Sequence, residues 1–179
     1  MNYPELLSAQ VEVYLPNHVY ITVTEREPVI LWQQGEGYTW IDASGVAFRP
    51  RGLAAGLIAV KGLGTPPRGS ALQDDPFSPQ PYLQKELVDA ILLLAPYAPP
   101  DTAMLFDPAY GLGWKDPRGW KAFFGFSAAD MLLKARVYQS MVDWLANRGV
   151  SPALINVMYP DAPYYREVEK KEYNLDSGQ

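Results

Sequence analysis

The sequence predicts an α+β fold, in which a mostly antiparallel β-sheet carries two α-helices packed on one face and is preceded by a separate β-hairpin. Three observations support this prediction. Apolar and polar residues alternate with period two over many short segments, which is typical of strands with one buried face. Clusters of Gly, Pro, Asn, Asp and Ser separate these segments. Two longer segments instead repeat apolar residues at helical spacing.

The first pattern along the chain predicts a β-hairpin over residues 10–25. Valine and isoleucine alternate with polar or tyrosine side chains on both arms, and Pro16-Asn17 between the arms is a turn signal. Residues 3–9 predict the last turn of a helix before the hairpin. Pro28 ends the second arm or confines it to an edge, because proline cannot donate a hydrogen bond to a strand ladder.

Nine further short strands are predicted after the hairpin. Asp42-Ala43-Ser44-Gly45 and Asp116-Pro117-Arg118-Gly119 are turn signals between neighbouring strands, and residues 61–79 predict a long loop rich in Gly and Pro. The predicted strands cover residues 29–33, 38–41, 46–49, 57–60, 102–106, 112–115, 120–124, 153–159 and 164–168.

Helical spacing predicts one helix over residues 81–94, closed by Pro96, and a second over 127–148. Ser127 is a suitable N-cap for the second helix, and Gly149 is a natural residue just past its end. The apolar stripe of the second helix consists of Met131, Ala135, Tyr138, Val142 and Leu145.

Composition narrows the classes of function. The 179 residues include 15 basic and 20 acidic side chains and no basic run, so we do not expect a general nucleic-acid binder. The sequence has no cysteine, which excludes thiol catalysis, thiolate metal sites and disulfides. The longest clean apolar run, residues 90–95, is far short of the roughly 20 residues that span a bilayer.

Catalytic patterns are weak in this sequence. His18 is the single histidine and lies beside the hairpin turn, where a solvated role is the default expectation. Asp74-Asp75 is the single adjacent acidic pair, but neighbours on a long loop cannot hold the fixed separation that paired-carboxylate chemistry requires. The sequence therefore predicts no enzyme, and no cofactor or metal site.

The five tryptophans allow two interpretations. They could line a platform for sugar rings, or they could pack in the core and along the edges of the sheet. The second interpretation is favoured because four of them fall on predicted strands and one on a predicted helix.

Residues 8–28 resemble the end of a POTRA domain, in the version found in the FtsQ/DivIB family of bacterial cell-division proteins. The resemblance is carried by a valine-rich strand, a proline turn, a second strand and the ending Glu25-Arg26-Glu27-Pro28. The segments 29–32 and 41–48 resemble the opening of that family's β domain. Phe124-Gly125, Lys134 and the sequence Pro163-Tyr164-Tyr165-Arg166 resemble its closing pattern.

The resemblance implies a particular organisation and role. Residues 1–27 would be the C-terminal remnant of a POTRA domain, 28–168 the β domain and 169–179 a polar tail. The family members are non-enzymatic scaffolds of the divisome during septum formation. They are anchored by a membrane helix that we expect to be absent from this chain, and their large part lies on the extracytoplasmic face of the membrane. Their partners are the FtsB/DivIC and FtsL proteins.

The resemblance also directs attention to the end of the sheet. The last predicted strand should form an edge with one unpaired row of backbone groups, which can accept a strand from a partner. Many family members carry an acidic-aliphatic-basic triplet on the preceding strand, but this chain has Asn156-Val157-Met158, so no charged contact is expected there. The expected partner-binding residues are Tyr159, Tyr164, Tyr165, Arg166 and Val168.

Two other functions remain open at this stage. A POTRA-bearing factor for protein transport or outer-membrane assembly would require repeated POTRA units and a barrel. A carbohydrate-binding module would require exposed, coplanar tryptophan rings.

We predict that the stability of the protein does not depend on a metal ion and that it has no hydrolase activity. The reasons are the missing cysteines, the lone His18 and the acidic pair on a long loop. The midpoint of thermal unfolding should be the same with and without a chelator. A large drop on chelation would contradict the prediction.

Overall fold

In a computed structural model, which describes residues 3–70 and 79–167, the chain forms a nine-stranded sheet, a separate two-stranded hairpin and two α-helices. The α+β prediction is confirmed. The strands are β1 (Leu6–Tyr14), β2 (His18–Glu25), β3 (Pro28–Gln34), β4 (Gly37–Asp42), β5 (Ala47–Phe48), β6 (Ile58–Gly62), β7 (Met104–Asp107), β8 (Gly111–Lys115), β9 (Lys121–Gly125), β10 (Pro152–Asn156) and β11 (Tyr164–Glu167). The helices are α1 (Lys85–Leu94), which runs into a 3-10 turn (Ala95–Tyr97), and α2 (Met131–Asn147).

The large sheet has the strand order β11-β10-β9-β8-β7-β6-β3-β4-β5. Most neighbouring strands are antiparallel, as predicted. Three neighbouring pairs are parallel, namely β3 with β6, β6 with β7, and β9 with β10. Each parallel pair needs a crossover between its strands, and α2 forms the crossover from β9 to β10.

One face of the sheet is covered by both helices. A row of five paired residues crosses this face from β6 to β10. Alternate residues of a strand point to the same side of the sheet, so all five side chains face the helices, and all five are buried. The row consists of Val60, Met104, Trp114, Ala122 and Ile155. The helices bury their apolar stripes in the same core, and the five residues that predicted the stripe of α2 are all buried.

Four predicted boundaries differ from the structure by three residues or more, and the others by at most two. Residues 3–9 are no helical turn, because β1 starts at Leu6 and pairs with β2. Helix α1 starts at Lys85 rather than 81, and β10 ends at Asn156 rather than 159. Helix α2 starts at Met131 rather than 127, because Asp130 has a left-handed φ of 55° and cannot be part of the helix.

Ser127 has a different partner from the predicted one. Its hydroxyl donates a hydrogen bond to Glu86 Oε1 of α1 over 2.6 Å and accepts one from the amide of Ala129. The side chain therefore connects the starts of the two helices instead of capping α2.

A buried polar cluster fixes α2 to the turn between β8 and β9. The hydroxyl of Tyr138, on α2, donates to Asp116 Oδ2 over 2.8 Å and accepts from the indole N–H of Trp120 over 3.0 Å. The Arg118 guanidinium donates to both oxygens of the same carboxylate, at 2.7 and 2.8 Å. These hydrogen bonds, led by those from Arg118, lower the pKa of Asp116 from 3.8 to about 2. Burial raises the pKa of Tyr138 to about 12.

The hairpin is connected to the sheet by a partly exposed ion pair, in which Arg51 Nη2 donates to Glu5 Oε1 over 2.6 Å, and by a buried ion pair. Arg26 Nη1 donates to Asp42 Oδ2 over 2.6 Å, and both side chains are almost fully buried. The other oxygen of Asp42 accepts the amide and hydroxyl of Ser44 and the amide of Val46. The turn predicted at Asp42-Ala43-Ser44-Gly45 is therefore held by its own aspartate, which also holds the hairpin.

The rest of the hairpin is exposed on both sides. Its polar side contains Glu12 and Tyr20, and its apolar side is formed by paired residues. The apolar side consists of Ala9, Val11, Val13, Val19, Ile21 and Val23.

Of the two described helices, neither is both long and apolar enough to cross a bilayer.

We predict that replacing Asp116 by Asn destabilises the protein by about 2 kcal/mol, because Tyr138 and Arg118 lose a buried, charged acceptor. The pKa of Asp116 is lower in the folded state than its usual value of 3.8. Its contribution is therefore complete above pH 4 and is lost as the pH falls towards about 2. Urea unfolding between pH 2 and 7 should show a smaller acid-dependent loss in the variant than in the natural protein. An equal loss in both would contradict this assignment.

We also predict that the hairpin exchanges its backbone hydrogens faster than the large sheet. A two-stranded sheet without cover on either face is only marginally stable. Hydrogen exchange of dilute monomer should show lower protection for residues 19–23 than for residues 154–156. Equal protection would show that the hairpin is stabilised by something other than its own pairing.

Candidate functional site

Strand β11 forms one edge of the nine-stranded sheet, as the sequence predicts. It pairs with β10 on one side, and no described strand pairs with it on the other. The outer backbone N–H and C=O groups of such a strand are free to pair with an added strand. The candidate site is therefore this edge together with the side chains on either side of it.

The pairing register assigns the residues of β11 to the two faces of the sheet. Tyr165 lies opposite Ile155, which is buried under the helices, so Tyr165 faces the helix side. Tyr164 and Arg166 are its chain neighbours and therefore lie on the opposite face of the sheet, which neither helix covers and which we call the open face. The predicted tyrosine pair is thus divided between two surfaces.

On the helix side the edge carries an aromatic cluster. The ring of Tyr165 meets that of Trp144 edge to face, with centroids 6.1 Å apart, and the Arg148 guanidinium lies 4.2 Å from the Trp144 ring. Trp144 is 44% exposed, whereas Tyr165 is half-buried against the core. A partner strand on β11 would therefore meet a partly open indole ring beside its backbone.

Trp144 is a site residue that the sequence did not predict. We assigned all five tryptophans to core and edge packing, and Trp32, Trp40, Trp114 and Trp120 are indeed buried. Trp144, however, does not belong to the apolar stripe of α2. That departure from the stripe was the signal in the sequence for its exposure.

On the open face the edge carries Tyr164 and Arg166. Tyr164 is 39% exposed, and the guanidinium carbon of Arg166 lies 5.8 Å from the centre of its ring. The two side chains form an exposed cation–π pair. Tyrosine and arginine are enriched among the residues that dominate binding energy at interfaces.

The remaining predicted site residues lie apart from this pair. Tyr159 is 66% exposed in the turn before β11, where its carbonyl accepts the amide of Ala162. Val168 lies outside the described residues.

Asn156, the first residue of the triplet Asn156-Val157-Met158, is buried. Its side-chain oxygen accepts the amide of Met158 over 2.9 Å. The side chain is thus occupied by its own turn and offers no charge to a partner.

The structure also locates the weaker catalytic candidates. His18 is exposed at the start of β2, in an open depression lined by Glu12, Tyr14 and Tyr20. Asp74-Asp75 lies outside the described residues. Within residues 3–70 and 79–167, no group of three His, Asp or Glu side chains is placed to hold a metal ion.

Comparison with known proteins leaves the family open. No protein-family model matches the sequence, and no curated protein matches it significantly.

Proposed function

We propose that the chain is a non-enzymatic binding module that accepts a strand from a partner protein at the outer edge of β11. We further propose that it is the β domain of an FtsQ/DivIB-like division scaffold, with the end of a POTRA domain attached. Its partners would be FtsB/DivIC-like and FtsL-like proteins on the extracytoplasmic face of the bacterial membrane. The parent protein would be anchored by a membrane helix.

The single observation that carries the proposal is the outer edge of β11, with which no described strand pairs, flanked by aromatic and arginine side chains on both faces. Backbone pairing supplies affinity with little dependence on sequence, and the flanking side chains supply specificity. Trp144 and Tyr165 offer a surface on the helix side, and Tyr164 with Arg166 offers one on the open face. Trp, Tyr and Arg are residue types enriched at binding interfaces, and the proposed role is binding.

The resemblance to FtsQ/DivIB supports the identity of the partner. Arg26, in the Glu-Arg-x-Pro ending, makes the buried ion pair that joins the hairpin to the sheet. Its burial gives that sequence feature a structural role at the proposed domain boundary, after residue 27.

A sugar platform has less support from the structure. Four of the five tryptophans are buried and only Trp144 is substantially exposed, so these side chains form no coplanar exposed array. Nothing in the geometry favours this second function over strand addition.

We predict that a peptide from the FtsB/DivIC-like protein of the same genome binds this chain through backbone pairing with β11. Two versions of the peptide, N-methylated at alternate sets of residues, separate pairing from other contacts. Methylation of the set that faces β11 should abolish binding, whereas methylation of the other set should leave it nearly unchanged. Calorimetric titration measures both. Equal effects of the two sets would place the partner elsewhere.

Replacing Tyr164 by Ala should weaken binding of the same peptide by about 2 kcal/mol if the tyrosine is a hot spot. Tyr38→Ala is the matched control, because Tyr38 is exposed on β4, seven strands away from β11. Both variants should first give the unfolding curve of the natural protein. If the two variants bind equally well, Tyr164 is not part of the site.

A further inference from the structure

The open face of the sheet carries a row of basic side chains next to the edge strand. Lys115 of β8 lies directly opposite Lys121 of β9, Lys121 is paired with Leu154 of β10, and Leu154 with Arg166 of β11. We call these four residues the basic row. The row crosses four strands at nearly a right angle, so its ends are about 14 Å apart.

The register fixes the side of the sheet on which the basic row lies. The next row along the strands consists of buried residues under the helices, so the basic row faces away from them. The three cations are exposed and Leu154 is half-buried. The buried row consists of Trp114, Ala122, Ile155 and Tyr165, of which Tyr165 is buried only in part.

The basic row has no acidic partner among the described residues. The ion pairs within residues 3–70 and 79–167 involve Arg26, Arg51, Lys85 and Arg118 instead. Like charges directly opposite each other on neighbouring strands destabilise a sheet, and Lys115 and Lys121 are such a pair. An anionic occupant would remove this repulsion.

We propose that an acidic, amphipathic helix of a partner protein lies across β8, β9, β10 and β11 on the open face. Its acidic side chains would meet Lys115, Lys121 and Arg166, and an apolar side chain would meet Leu154. The proposal goes beyond edge pairing, because it requires no backbone hydrogen bond from β11, although Arg166 contributes to both surfaces.

The spacing of the row selects a helix as the occupant. Neighbouring positions of the row are about 4.8 Å apart, the distance between strands. On a helix, residues three or four apart lie on one face at about 5 to 6 Å, so positions i, i+4, i+7 and i+11 follow the row closely. On an extended segment, residues of one face are about 6.7 Å apart, which loses register after one or two contacts. The matching pattern is therefore acidic, acidic, apolar and acidic.

The test uses a designed alanine-rich peptide of about 18 residues, long enough to hold helical structure in water. It has Glu at i, i+4 and i+11 and Leu at i+7, and a second peptide has the same composition with these residues scattered around the helix. Fluorescence anisotropy at low salt measures binding to the full chain. We expect the first peptide to bind at least about tenfold more tightly than the second, with an affinity that falls as salt increases.

Charge-reversal variants identify the surface. Lys121→Glu should weaken the first peptide about tenfold, whereas Arg136→Glu should change it less than twofold. The two variants have the same net charge, and Arg136 is exposed on α2, which covers the other face. A peptide with Lys in place of Glu should bind the double variant Lys115→Glu/Lys121→Glu and not the natural protein.

Several outcomes would overturn the proposal. Equal binding of the two acidic peptides would show that the helical pattern of the side chains does not matter. Equal loss of affinity in Lys121→Glu and Arg136→Glu would show that binding depends only on net charge. Tighter binding of polyphosphate than of the helical peptide would assign the row to an anionic polymer. The strand peptide that pairs with β11 should still bind Lys121→Glu, so failure of one surface is distinguishable from failure of the other.

Discussion

Burial of one face of a nine-stranded sheet is the constraint on which the rest of the structure depends. Residues of period two from five strands form one continuous apolar row, and the two helices supply the matching stripes. Because α2 must cover β9 and β10, it also reaches the edge at β11. The position of Trp144 beside that edge is therefore a consequence of core packing.

The polar interactions fix the position of α2 on the sheet more closely than apolar burial alone does. Asp116 ties α2 to the turn between β8 and β9 through Tyr138, and Ser127 ties the start of the second helix region to Glu86 of α1. Both contacts use hydrogen bonds to a carboxylate, which are stronger than neutral ones. They hold α2 at a fixed height on the sheet, and hence hold the aromatic cluster at the edge in place.

Much of this architecture could be predicted because it follows from local sequence patterns. Alternation and turn residues predicted all nine strands of the large sheet, and the last of them lies at one end of the strand order, as predicted. The start of β1 was missed because pairing with β2 overrides a weak local preference. The strand order and the basic row could not be found, because Lys115, Lys121 and Arg166 become neighbours only through pairing between distant segments. The family assignment stays a prediction.

The width of the sheet sets the lateral distance between Arg26, where the hairpin joins, and the edge strand β11. The hairpin joins the sheet at β3 and is held by Asp42 of β4, whereas the edge strand β11 lies six strands away from β3. At about 4.8 Å per strand, a molecule attached at β11 is offset sideways by on the order of 30 Å from the point where the hairpin joins. A strand added at β11 would extend the sheet by about 4.8 Å in the same direction, without adding a second layer.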